Sequence, residues 1–141
     1  MTATQYLITA CASLVLLTFL VGLRLFFTRI HEMRVRKISP QSIALSGAKT
    51  QKMQDQRASD NFSHLFELPV LFYALCAMAI AVQHVPVWLP YCAWLFVVLR
   101  LIHSGIQCTY NKVMHRFPVF VAGFILISGM WFAWMISVLF Q

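Results

Sequence analysis

The sequence predicts an all-α integral membrane protein, a four-transmembrane-helix up-down bundle. Two observations carry this reading and a third orients it. Of 141 residues, 60% are hydrophobic and 11% charged, against about 45–50% and about 25% in soluble domains. The apolar residues gather into four stretches of membrane-spanning length, and the basic residues gather into two short regions. A single water-soluble core at this length has no room for so much apolar surface, so lipid is the expected solvent.

The spans follow in order within one domain, residues 1–141. They run approximately over 6–27, 65–84, 87–106 and 117–140, with a polar loop at 38–58. A bilayer core takes about 20 helical residues, and backbone groups in lipid must be satisfied within the span. Strands of a membrane barrel would be about half as long. Tyr6 to Phe27 is broken only by Arg24, and helix 1 meets no breaker before Ser39-Pro40. Pro pushes the preceding residue out of the α region. The loop carries Ser46-Gly47, and Ser59 or Asp60 is positioned to cap helix 2. Pro69 falls in the second turn of that helix and is expected to bend it. The short "HVPVWLP" turn makes helices 2 and 3 antiparallel neighbours. Helix 3 continues past Arg100, and helix 4 starts at Arg116-Phe-Pro118, with Pro in its first turn.

The net charge of +7 does not point to nucleic acid, because every Lys and Arg lies between Arg24 and Arg57 or between Arg100 and Arg116. With four spans, both regions fall on one side of the membrane. The positive-inside pattern puts these basic loops in the cytoplasm and both termini outside, where the loops face anionic lipid headgroups. "LITAC" is like a lipoprotein cleavage box ending at Cys11, but no basic segment precedes it, and span 1 is too long for a signal peptide. Cys11, Cys76, Cys92 and Cys108 show no metal-ligand spacing. In apolar helices such cysteines read as small buried hydrophobes.

At 100° per residue, three helices each carry a polar stripe at the cytoplasmic end. Arg57, Asn61, His64 and Glu67 lie on one face of helix 2. Arg100, His103, Gln107, Tyr110 and Asn111 share a face of helix 3. Arg24, Thr28 and His31 line up on helix 1, with Arg34 nearby. Charged groups in spans face a bundle interior or a wet cavity, so the simplest arrangement joins the stripes around one polar cavity. Plainer readings stand beside it. Arg24 and Arg100 can snorkel to headgroups, Glu67 can be the ion-pair partner of an Arg on a neighbouring helix, and His64 and His103 can hydrogen-bond between helices. A metal site is disfavoured by the surrounding Arg and the lack of a His pair on one helix face.

These residues resemble the MAPEG family, the membrane-associated proteins of eicosanoid and glutathione metabolism. The resemblance covers nearly the whole chain. It is most specific at Arg57-Ala-Ser-Asp-Asn61, followed by Glu67 and Pro69, and at "RLIHSGIQCTYNKVMHRFP" before helix 4. It departs where the characterised enzymes carry Glu three residues after the Asn. His64 holds that place here, and "NFSHLFELPVLFYAL" is closer to the bacterial branch, which implies a bacterial inner membrane.

The resemblance implies a homotrimer with glutathione as co-substrate between adjacent subunits. A hydrophobic small-molecule electrophile would arrive from membrane lipid. Arg116, or secondly Arg100, would stabilise the thiolate, with Tyr110 as donor to the sulfur. Arg57 and Asn61 would position the peptide, Glu67 would pair its ammonium group, and Arg24, His64, His103 and Asn111 would complete the site. The activity implied is a glutathione-dependent transferase or peroxidase. Two alternatives remain at this level: a non-catalytic MAPEG-type protein that binds or presents lipid, and a small multidrug transporter using Glu67 as a proton-coupled carboxylate.

Overall fold

A computed structural model describes residues 1–43 and 53–140. The chain forms α1 (Ala3–Val35), a 3-10 turn (Pro40–Ile43), α2 (Arg57–His64), α3 (Leu68–Ala81), α4 (Trp88–Cys108) and α5 (Val113–Leu139). Among the described residues every regular element is helical, and four stretches are long and apolar enough to cross a membrane: Ala3–Val35, Arg57–Ala81, Trp88–Cys108 and Val113–Leu139. The loop expectation at Ser46-Gly47 falls outside the described residues.

Local chemistry sets the helix ends. Thr2 caps α1 reciprocally with Gln5: the Thr2 hydroxyl accepts from the Gln5 N–H at 3.3 Å, and Gln5 Oε1 accepts from the Thr2 N–H at 2.8 Å. At 33 residues, α1 is about 50 Å long, well beyond the roughly 30 Å of hydrocarbon. It stops at Val35, ahead of the expected Ser39-Pro40. Lys37 turns into the left-handed region (φ 52°), and the Ile38 N–H bonds back to the Met33 carbonyl at 3.0 Å. That 6→1 bond closes the helix before proline acts. Gln83 (φ 56°) closes α3 the same way, through His84 N–H to the Ala79 carbonyl at 3.0 Å.

Three expected boundaries move. The second span opens at Arg57, with Gln56 at the N-cap making no side-chain capping bond, so Ser59 and Asp60 lie inside α2. The helix then breaks over Leu65–Glu67 and restarts at Leu68, leaving Pro69 in the first turn of α3. There its missing N–H costs nothing, so the interruption precedes the proline and replaces the predicted bend. The last helix begins at Val113, which puts Pro118 inside it.

At the end away from the basic residues the bundle packs through apolar side chains. Phe72 of α3 stacks on Phe96 of α4, with centroids 5.0 Å apart and planes at 18°. Leu7, Ala10 and Leu14 of α1 are fully buried with Leu75 and Ala79 of α3 and Leu89 and Ala93 of α4. Two tryptophans of α5 tie across: Trp131 Nε1 donates to the Leu71 carbonyl and Trp134 Nε1 to the His84 carbonyl, each at 3.1 Å. Helix α4 packs against α1, α2 and α5 at once, so its inner face is turned to the other helices of the chain. Phe72→Ala is expected to destabilise the bundle by about 3–5 kcal/mol, read as a lowered Tm in nanodiscs, while Val70→Ala on the outward face leaves Tm nearly unchanged.

Candidate functional site

The buried stripe of α4 changes chemistry halfway along. From Leu89 through Ala93, Phe96 and Val97 it is apolar; from there it continues as Arg100, His103, Ser104, Gln107 and Cys108, all buried. The 3–4-residue spacing keeps these side chains on the core face, so a polar lining is enforced at the basic end of the bundle.

Gln107 is the hub of this lining and is fully buried. In the orientation that matches donors to acceptors, its amide nitrogen donates to His103 Nε2 at 3.1 Å. Its oxygen then accepts from Arg116 Nη1 at 3.2 Å and from the Asn61 backbone N–H at 3.3 Å. One amide thus joins α2, α4 and α5. Arg116 Nη1 also donates to Asn111 Oδ1 at 2.7 Å. Beside this hub a cavity of about 190 Å³ is lined by His64, His103, Val113, Arg116, Phe117 and Phe120. The His103 ring lies 6.0 Å from those of both His64 and Phe120. His103 Nδ1 is buried with no hydrogen-bond partner among the described residues.

Arg100 lies deeper and is 1% exposed. Its guanidinium carbon sits 5.3 Å from the Phe96 ring centre and 5.7 Å from that of Phe120. Nε and Nη2 have no acceptor among the described residues. Gly123 of α5 makes the space: a Cβ there would collide with the guanidinium. Snorkelling therefore does not describe Arg100, whose charge is held inside against the faces of Phe96 and Phe120.

The other expected site residues divide. Asn61, fully buried, turns toward α4: its Nδ2 donates to Cys108 Sγ and its Oδ1 accepts from Ser104 Oγ, both at 3.2 Å. Arg24 is exposed on a separate groove of about 240 Å³, shared with Leu101, Ser104 and Cys108. Glu67, for which a pair with an Arg of another helix was one reading, contacts His64 of its own segment, Oε2 to Nδ1, at 3.0 Å. The α2–α3 break directs it there.

Arg57 chelates Asp55 through Nε and Nη2, each at 3.0 Å, and donates to the Thr109 carbonyl. Hydrogen bonds from Arg57, with its charge, hold the Asp55 carboxyl below its ordinary value. Tyr110 is exposed, its hydroxyl 3.3 Å from His115 Nδ1.

The structure thus gathers His64, His103, Arg116 and Asn111 around Gln107, with Arg100 behind Phe120 and Asn61 behind the hub. It does not bring Arg24 or Tyr110 to that cavity. The single joint cavity expected from three stripes is divided: His64, His103 and Arg116 line one recess, Arg24 lines another with Ser104 and Cys108, and Thr28 and His31 line a third. Sequence reasoning placed Gln107 on the right face without assigning it a role. Its i, i+4 relation to His103 was the available signal.

The family model for "MAPEG family" matches residues 7–136. No curated protein and no solved structure matches the chain.

Two outcomes follow from this geometry. Since the Asp55 pKa is depressed on folding, its contribution is present above the ordinary carboxylate range, about 3.9, and is lost as pH falls through the lower folded value. Acid should therefore loosen the start of α2, read as faster hydrogen exchange around Arg57. Asp55→Asn should show that looseness already at neutral pH. Arg100→Met removes a buried charge that lacks an acceptor and keeps the stem's volume. It is expected to leave the Tm of the ligand-free protein equal or higher by a few degrees, whereas a marked fall would mean that the charge itself holds α4 to α5.

Proposed function

From its membership of the MAPEG family, to which this chain belongs, and from the basic cavity at Arg116, we propose a membrane-bound glutathione-dependent transferase or peroxidase acting on hydrophobic electrophiles. The observation that carries the reading is the donor-rich cavity itself. Arg116 and two histidines line it, no acid lines it among the described residues, and buried guanidinium and imidazole nitrogens beside it lack acceptors among those residues. A site of that kind suits an anion.

The chemistry needs little more from the protein. At pH 7 only about 3% of a thiol of pKa about 8.5 is ionised, and each unit of lowering raises that share nearly tenfold until it saturates. Arg116, held by Asn111 and Gln107, is the group to stabilise the sulfur anion. Holding thiolate and electrophile together supplies the proximity. The fit is partial within one protomer. About 190 Å³ lies below the roughly 300 Å³ at which small-molecule pockets begin, so the cavity takes the cysteinyl end while the peptide carboxylates reach Arg groups nearer the surface. That agrees with a homotrimer in which an adjacent subunit completes the site. Arg57 and Arg24 are the exposed candidates for the carboxylates, and the basic end faces the cytoplasm.

A second reading, a non-catalytic lipid-binding member, is favoured by an apolar groove of about 790 Å³ between α1 and the α2–α3 segment, lined among others by Phe19, Phe26, Phe62 and Phe66. Titration with glutathione separates the two. A thiolate absorbance band with conjugation of a model electrophile supports the enzyme, and neither supports the lipid binder. In the enzyme, Arg116→Ala is expected to lower activity at neutral pH by about tenfold or more, with partial recovery near pH 9 as the thiol ionises unaided. Equal loss at all pH values would assign Arg116 a structural role.

A further inference from the structure

Gln107 decides where the proton on His103 sits. Its oxygen faces two obligate donors, the Arg116 guanidinium at 3.2 Å and the Asn61 backbone N–H at 3.3 Å, which leaves its NH2 for His103 Nε2 at 3.1 Å. An imidazole nitrogen that accepts carries no proton, so the ring's single hydrogen is on Nδ1. That N–H is buried, in a residue 3% exposed, and has no acceptor among the described residues. A buried donor left unmatched is destabilising, which favours a ligand that accepts from it. The same ring lines the Arg116 cavity, whose remaining walls on α5 are Val113, Phe117 and Phe120.

We propose that His103, fixed by Gln107 as the neutral Nδ1–H tautomer, donates a hydrogen bond to the oxygen of an apolar, oxygen-bearing electrophile bound against the α5 wall. Gln107 is the positioning residue for both His103 and Arg116. The proposal rests on the glutathione reading for its reaction, and on the tautomer for its geometry. For an unsaturated aldehyde, the thiolate sulfur bonds to the β-carbon and the π electrons move onto the carbonyl oxygen. His103 Nδ1–H stabilises that enolate oxygen, and water supplies the proton that ends on the α-carbon. His103 acts as a donor and not as an acid, since loss of its one proton would leave an imidazolate. An alkyl halide makes no such demand: sulfur–carbon forms, carbon–chlorine breaks and chloride leaves.

The test combines one spectrum with one substrate comparison. In 15N-histidine-labelled protein in nanodiscs, His103 is expected as the Nδ1–H tautomer, and Gln107→Glu, whose carboxylate only accepts, is expected to move the proton to Nε2. With glutathione, His103→Leu should lower the ratio of kcat/KM for 2-nonenal to that for benzyl chloride by about thirtyfold or more, since only the aldehyde uses the donor. His103→Asn, whose amide nitrogen can overlay Nδ1, should recover most of the loss. A wild-type Nε2–H tautomer, or equal losses for both electrophiles, overturns the proposal. If the wild type conjugates neither electrophile, the glutathione reading falls. The donor role then stands only if 2-nonenal alone shifts the His103 Nδ1 resonance, and it falls with the reading if there is no shift.

Discussion

The structure depends on one constraint: a helix packed on three sides must satisfy its own inner face. Helix α4 is apolar along that face to Val97, then presents Arg100, His103, Ser104, Gln107 and Cys108 to the interior. In a medium of low dielectric each of these groups needs a partner or an offsetting field. Neighbouring helices supply what they can. α2 brings Asn61 to Ser104 and Cys108, α5 brings Arg116 to Gln107, and Phe96 with Phe120 flank Arg100. Donors on Arg100 and His103 are left without a partner among the described residues.

Stability and function are set against each other here. The apolar half of the bundle is closed by stacked Phe72 and Phe96 and by the tryptophan bonds of α5. The basic half carries charge, an interrupted helix at Leu65–Glu67 and a glycine at 123 where α5 approaches α4. An unmatched guanidinium weakens a fold and suits it to an anionic ligand. That pairing of costs is characteristic of a binding site on a rigid frame.

Residue spacing alone was enough to place Arg100, His103 and Gln107 on one face, because a helix repeats every 3.6 residues whatever surrounds it. The helix ends were less legible. Lys37 and Gln83 close α1 and α3 in a conformation usually left to glycine, and no local signal announces that choice. Pro69 gave a true warning of an interruption but the wrong form: the chain breaks before the proline and uses it to begin again. The partners of Asn61 and Glu67 were not legible either: Asn61 bonds Ser104 and Cys108 across to α4, and Glu67 contacts His64.

What the sequence determined by itself is the set of properties that composition and periodicity control: four spans, one basic end, and polar stripes confined to that end. These follow from transfer free energies that each segment carries alone. Tertiary structure decided which stripe meets which. That Gln107 bridges three helices, that Gly123 leaves room for Arg100, and that Arg24 stands on a different recess from Arg116 all depend on how the helices are rotated and crossed. Those rotations are fixed by side-chain packing summed over the bundle, a quantity no single segment contains.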